Sequence, residues 1–322
     1  MRQTPHILVV NGIKVHRPVF LLGAPHSGTD LVARALRHSA GVHVTRGRPA
    51  VTKLVYAFAR RPSIATERGR GAARVLRDAY AESWQLSAHG CRDCPAECWE
   101  LSGYTPGDLR PDGPCTNPSG LRRFADAAPD LIYSTDVLLD AFPDAQLVQV
   151  IRDGREVAAD MLADERSMTW FKPGILDLDE VFPHPFLGVD EPSWRARWPE
   201  AAPVVKCALR WRGAVRISAR LRAQVPEEQL LTLRYEDLIA DPLAGADRLS
   251  DHLGERVSRD ALAFAAEAHR DGPWRPLPAR RGAAEPSEGR RKPLTARQAA
   301  QVEKAAGREL RALGYLPSSE ED

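Results

Sequence analysis

No apolar run in this 322-residue sequence approaches the length of a membrane-spanning helix, so nothing in it predicts a transmembrane anchor. The one short apolar stretch near the start, Ile7 to Val10, is too brief for the core of a secretory signal. Charge of one sign is also lacking: 45 basic residues against 43 acidic ones leave a formal net charge of +2. That balance gives no bulk attraction to nucleic acid or to a lipid surface, so any anion site must be local. Cysteine is scarce, and its odd total of five builds no even-numbered disulfide framework. These absences predict a cytoplasmic protein with no nucleic-acid and no membrane partner. What is present, 43% hydrophobic and 27% charged residues, is the composition of a soluble globular chain. The length allows one elaborated α/β domain or two smaller ones.

The most informative stretch, residues 18–31, has a conspicuous absence of its own. Val19 to Leu22 form a short apolar run ending at Gly23. A small, turn-prone segment from Ala24 to Gly28 follows, and then Leu31, Val32, Ala35 and Leu36 recur at helical spacing. This pattern predicts a buried strand, a tight loop and a helix. Such a loop aims several backbone N–H groups and the positive end of the helix at one point, where an anion can sit. The spacing Gly23-x4-Gly28 is that of a nucleotide-triphosphate P-loop, but Thr29 and Asp30 stand where Lys and Ser or Thr should follow. The lysine that grips the β and γ phosphates is missing, and so is the hydroxyl that usually binds Mg²⁺. That argues against a kinase or NTPase.

Along the chain, Asn11-Gly12 between Ile7–Val10 and Ile13–Val15 predicts a hairpin. Residues 41–44 suggest a short connection or strand, and 50–60 and 71–86 carry helical patterns. Residues 119–127 read as helical, and Leu131-Ile132-Tyr133 as a short strand. Gln146 to Ile151 read as a strand running into Arg152-Asp153-Gly154-Arg155-Glu156 and then a helix. This is a second strand-turn-helix unit, with Arg152 at the carboxyl end of its strand, where open α/β sheets bind ligands. Residues 204–223 predict a helix, 230–235 a strand, and 243–253 and 259–268 two further helices. A last helix, 296–313, is capped by Thr295. The expected organisation is a single domain over 1–317, with a Cys-rich insertion near 87–120, an aromatic and Pro-rich insertion near 164–203, and a disordered tail at 318–322.

His89-x-Cys91-x2-Cys94-x3-Cys98 places an imidazole and three thiols within ten residues, a set that suits tetrahedral zinc. Zinc there would staple a loop poor in apolar residues. The competing reading is reduced, partly buried cysteines beside Trp99, or an incidental disulfide. Cys115 and Cys207 read as isolated thiols.

Three stretches together carry a family resemblance: Gly23-Ala-Pro-His-Ser-Gly-Thr-Asp-Leu31, Val148-Gln-Val-Ile-Arg-Asp-Gly-Arg-Glu-Val-Ala-Ala159, and Leu233-Arg-Tyr-Glu-Asp-Leu-Ile-Ala-Asp-Pro242. In this order they resemble the sulfotransferases that use 3′-phosphoadenosine 5′-phosphosulfate (PAPS), particularly the bacterial and carbohydrate-type branch. The closing Gly289-Arg-Arg-Lys-Pro-Leu-Thr295 and the helix after it are similar to that branch's C-terminus. The resemblance implies a P-loop-like three-layer α/β fold with a central parallel sheet. It also implies transfer of a sulfuryl group from PAPS to a hydroxyl of a small-molecule or glycan acceptor, with no metal needed for the transfer.

By the same resemblance, Pro25, His26, Ser27, Gly28, Thr29 and Asp30 hold the 5′-phosphosulfate, with the Ser27 to Thr29 N–H groups as donors. Arg152 holds the 3′-phosphate, and Arg290, Arg291 or Lys292 cover the nucleotide. His26 stands where the family usually has Arg or Lys, so it is the catalytic candidate. Protonated, it contacts the leaving phosphosulfate; neutral, it serves as a hydrogen-bond donor or a general base. Asp160 stands where the family places a Ser on the 3′-phosphate, and its carboxylate should repel that group. Asp30 replaces a common Thr or Ser. The general base is not legible; His26, Glu67, Asp136, His184 and Glu236 are candidates. Two rival readings are a small-molecule P-loop kinase using ATP and a non-catalytic nucleotide- or anion-binding protein on the same fold.

Overall fold

The computed structural model describes residues 7–60, 70–91, 94, 98–99, 101, 113–128, 130–169, 171, 191–271 and 293–318. Strands β1 (Val9–Val10) and β2 (Ile13–Lys14) form the expected hairpin. Asn11 and Gly12 both take positive φ (54° and 77°), as a tight two-residue turn requires. Strand β3 (Val19–Leu22), helix α1 (Thr29–Arg37), strand β4 (Val42–Thr45), and helices α2 (Pro49–Arg60) and α3 (Arg70–Ser83) follow. Next come β5 (Arg123–Asp126), α4 (Thr135–Ala141), β6 (Gln146–Ile151), α5 (Gly154–Ala163) and the short α6 (Glu165–Thr169). The chain continues with α7 (Pro192–Arg197), α8 (Pro203–Gln224), β7 (Leu230–Arg234), α9 (Tyr235–Ala240), α10 (Pro242–Leu253), α11 (Arg259–Asp271) and α12 (Ala296–Ala312).

Five strands make one parallel sheet in the order β4-β5-β3-β6-β7. Strands β3 to β6 are buried on both faces because helices cover both. Alternation divides them: Phe20 and Leu22 join the core beneath α3, α4, α5, α8 and α12, while Val19 and Leu21 join the core beneath α1, α10 and α11. This is the three-layer α/β architecture expected from the sequence. From β3 the chain leaves toward β4 on one side, and β6 and β7 lie on the other, so the sheet's switch point falls between β3 and β6. Ligands bind outside the strand ends at such a point, and the loops after β3 and β6 meet there. No helix among the described residues is long and apolar enough to cross a membrane.

Two sequence expectations fail. Residues 123–126, read as part of a helix, are the strand β5, and Leu131–Ser134 form a 3₁₀ turn rather than a strand. Strand β5 lies between β4 and β3 with all four residues buried, so it lacks the polar alternation that marks a one-sided strand. Its polar ends are satisfied internally. Arg123 donates to the Gln146 side chain and, at 3.0 Å, to the Leu253 carbonyl. Asp126 accepts from Thr45 Oγ1 (2.5 Å), Ala128 N (2.8 Å), Tyr80 OH (3.3 Å) and Gly47 N (3.3 Å).

Burial outweighs those donors and pushes the Asp126 carboxyl from 3.8 up to about 6. A carboxyl raised in the fold contributes stability that is full below its unfolded value and is lost as pH rises through its folded one. The unfolding free energy of the wild type relative to Asp126→Asn should therefore be highest near pH 4 and fall by pH 6 to 7 in urea titrations. A difference that stays flat with pH would contradict this.

Candidate functional site

Gly23 closes β3 so tightly that a Cβ there would lie 2.9 Å from the Val150 carbonyl of the neighbouring strand β6. The loop then turns through two left-handed residues, His26 (φ 64°) and Gly28 (φ 95°). At Gly28 only glycine fits, since a Cβ would meet the Tyr235 ring at 2.4 Å. His26 has a Cβ and holds this conformation at a cost, which suits a residue fixed by its surroundings. Ser27 is buried, and its N–H donates to the Ala24 carbonyl at 3.1 Å. That donor is committed to the loop itself, so the expected anion donors reduce to the N–H groups at the start of α1. No side chain caps that helix end. Its first-turn N–H groups and positive end face the switch point. Pro25 and Thr29 lie half-buried on the same turn.

Arg152 follows β6 and is 5% exposed. Its Nη1 donates to the His26 carbonyl at 2.9 Å and to Asp160 Oδ2 at 2.6 Å, two turns along α5. Its guanidinium lies over the Tyr235 ring, 4.3 Å from the centroid, and its Nη2 faces Glu156 at 3.7 Å. Its own carbonyl accepts from Trp211 Nε1 at 3.1 Å. Trp211 packs so close to Gly154 that a Cβ there would meet its ring at 2.7 Å. Arg152 thus clamps the β3 loop to α5. The carboxylate expected to repel an anion at this place is instead the arginine's ion-pair partner.

The imidazole of His26 turns toward α6. Its Nε2 lies 3.1 Å from Ser167 Oγ and 3.3 Å from Asp164 Oδ2. Asp164 also accepts from the N–H groups of Arg166 (3.2 Å) and Ser167 (3.1 Å), so it caps α6 while facing the histidine. Burial would raise its carboxyl, but the hydrogen bonds from His26 and Ser167 prevail and hold it well below the usual carboxylate range. An ionised Asp164 beside Nε2 favours a hydrogen on that nitrogen. Sequence reasoning missed Asp164, although Asp164-x-x-Ser167 is a legible helix-start pattern.

Asp30 reaches α11, with Oδ2 3.5 Å from His269 Nε2; His269 Nδ1 in turn lies 3.1 Å from the Tyr235 hydroxyl. Glu236 is engaged by Asp153 N–H and Tyr315 OH, both at 2.9 Å, which suits a tie between β6 and the C-terminus better than a base. Asp136 is exposed in the first turn of α4. Arg290, Arg291, Lys292, Glu67 and His184 lie outside the described residues.

The cysteines gather elsewhere. The Sγ atoms of Cys91, Cys94 and Cys115 lie within 4.8 Å of one another, with Cys98 beside Cys94 and Cys115. His89 is exposed. Cys115, expected to be isolated, is thus part of the group. Cys207 alone stands apart in α8, where burial pushes its thiol up to about 12.

A sequence model described as the Sulfotransferase family matches residues 18–259, which include the β3 loop, Arg152 and the β7–α9 stretch. No curated protein sequence matches. Among solved structures, sulfotransferase STF9 from Mycobacterium avium is similar at 14% identity, with TM-score 0.44, over 92% of this chain and 77% of that one. A sulfotransferase domain from the Synechococcus olefin synthase is similar at 15% identity and TM-score 0.42, over 94% and 97%. Mouse sulfotransferase SULT7A1, complexed with PAP, is similar at 11% identity and TM-score 0.41, over 92% and 85%. Overlaps this loose carry no weight of their own, and the placement rests on the sequence match over most of the chain: this protein belongs to the Sulfotransferase family.

Proposed function

We propose that the protein transfers a sulfuryl group from PAPS to a hydroxyl of a small-molecule or glycan acceptor. The observation that carries this reading is the meeting of the uncapped start of α1 with His26 and Arg152 at the sheet's switch point, in a chain of this family. Sulfuryl transfer, like phosphoryl transfer, depends mainly on positioning and on charge stabilisation at the bridging and equatorial oxygens. The first-turn N–H groups of α1 receive the 5′-phosphosulfate. His26, held by Asp164, donates to the leaving phosphate and replaces the usual Arg or Lys of the family. Arg152 presents its Nη2 edge to the 3′-phosphate, and Arg290 and Arg291 cover the nucleotide. Turnover of PAPS to adenosine 3′,5′-bisphosphate in the presence of hydroxyl acceptors tests the proposal. Turnover of ATP with Mg²⁺ in its place would overturn it and restore the kinase reading.

One observation favours a second reading of the donor. Asp160 sits 2.6 Å from Arg152 and already neutralises the guanidinium that would recognise a 3′-phosphate. A phosphosulfate donor lacking that phosphate needs no such recognition.

A further inference from the structure

We propose that Cys91, Cys94, Cys98 and Cys115 bind a structural zinc ion through four thiolates, at a site on the sheet edge remote in topology from the switch point. Three of the sulfurs are mutually within 4.8 Å, and Cys98 stands beside two of them. A tetrahedral zinc with bonds of about 2.3 Å sets its sulfurs about 3.8 Å apart, close to this grouping. All four are free thiols, so no disulfide occupies the sulfurs that a central ion would bind.

The backbone is already bent around the thiols. Cys91 N–H donates to the Ser87 carbonyl at 2.8 Å, and Cys94 N–H donates to the Cys91 carbonyl at 3.0 Å. That turn is what lets a Cys-x2-Cys pair face one point. Four thiols binding one Zn²⁺ release four protons and leave a centre of net charge −2, which needs cations nearby. Arg48, just before α2, supplies one: its Nη2 lies 3.6 Å from Cys94 Sγ, and its Nη1 donates to the Gly90 carbonyl. Arg37 at the end of α1 and His43 on β4 also lie near Cys98. His43 is 4% exposed, and among the described residues its Nε2 has no hydrogen-bond partner. Such groups around the ligands orient and balance a metal centre.

The fold also explains why a staple is needed. Among the described residues, this cluster holds Leu86, Trp99 and the half-buried Leu121 besides the thiols, and it is separate from both main cores. So few apolar side chains among them give these thiols little hold of their own, and a metal ion supplies it. Four protein ligands leave no open position, so the ion is structural and takes no part in the transfer. The ligand set differs by one from that expected from the sequence: Cys115 stands in place of the exposed His89.

The test is the metal content of the full-length chain, purified without chelator and measured by mass spectrometry. About one zinc per chain is expected. Cys115→Ser should lose at least nine-tenths of it, and His89→Ala should keep it. A zinc content near zero in the wild type, full retention in Cys115→Ser, or loss in His89→Ala would each overturn the proposal. Since Cys115→Ser can also fail by misfolding, the reduced wild-type chain is titrated with Co²⁺ alone. Intense visible bands with near-ultraviolet thiolate charge transfer are expected for a tetrahedral thiolate site. A weak octahedral spectrum, or cysteines found already joined as disulfides in the purified chain, would refute it.

Discussion

Arg152→Ala is expected to destabilise the fold by about 3–5 kcal/mol, the range for removing one partner of a buried ion pair. Asp160 stays behind, buried, with its closest cation gone. The His26 carbonyl loses its 2.9 Å donor, and the Tyr235 ring loses the guanidinium stacked on it. The cost is mainly that of the abandoned carboxylate, so replacing both partners together, as Arg152→Met with Asp160→Leu, should recover most of it. Urea unfolding of the single and double variants measures the difference. A loss under about 1 kcal/mol in the single variant, as for an exposed pair, would show that the clamp contributes little.

His26→Ala should lower turnover by about 10²–10³-fold, the usual effect of removing one donor aimed at developing charge. If the imidazolium contacts the leaving phosphosulfate, His26→Arg restores the charge and keeps or raises donor affinity, because Asp164 then faces another cation. Calorimetry with adenosine 3′,5′-bisphosphate separates this from proton transfer. Intact affinity with turnover still lost in His26→Arg would make His26 the general base instead. Turnover unchanged in His26→Ala would remove it from the reaction altogether.

Sequence legibility followed local patterning. Strands β3, β6 and β7 were readable because each is a short apolar run broken by a turn. Strand β5 was not, because Arg123 and Asp126 are polar yet buried, and their partners Gln146, Thr45 and Tyr80 are distant in sequence. The shape of the β3 loop was legible from Gly23 and Gly28, but its electrostatics were not. Asp160 read as a carboxylate hostile to a phosphate. Its place two turns beyond Arg152 makes it the arginine's partner, and only three-dimensional geometry shows which of these roles holds in the absence of a ligand. Tyr235 lay within a recognised motif without a role. Its function emerges from the missing Cβ of Gly28 and the cation above its ring. The Cys-rich stretch was legible as a cluster, but its membership depended on Cys115, distant in sequence, lying beside Cys91 and Cys94.

Calorimetric titration of the wild-type chain with adenosine 3′,5′-bisphosphate and with AMP tests the donor most directly, because the two ligands differ only in the 3′-phosphate assigned to Arg152. A PAPS enzyme should bind the bisphosphate at least about tenfold more tightly, a difference of roughly 1.4 kcal/mol. Asp160→Ser, which removes the competing carboxylate, should widen that preference. Equal affinity for the two nucleotides, unchanged in Asp160→Ser, would contradict the account and leave Arg152 as a clamp for the loop alone.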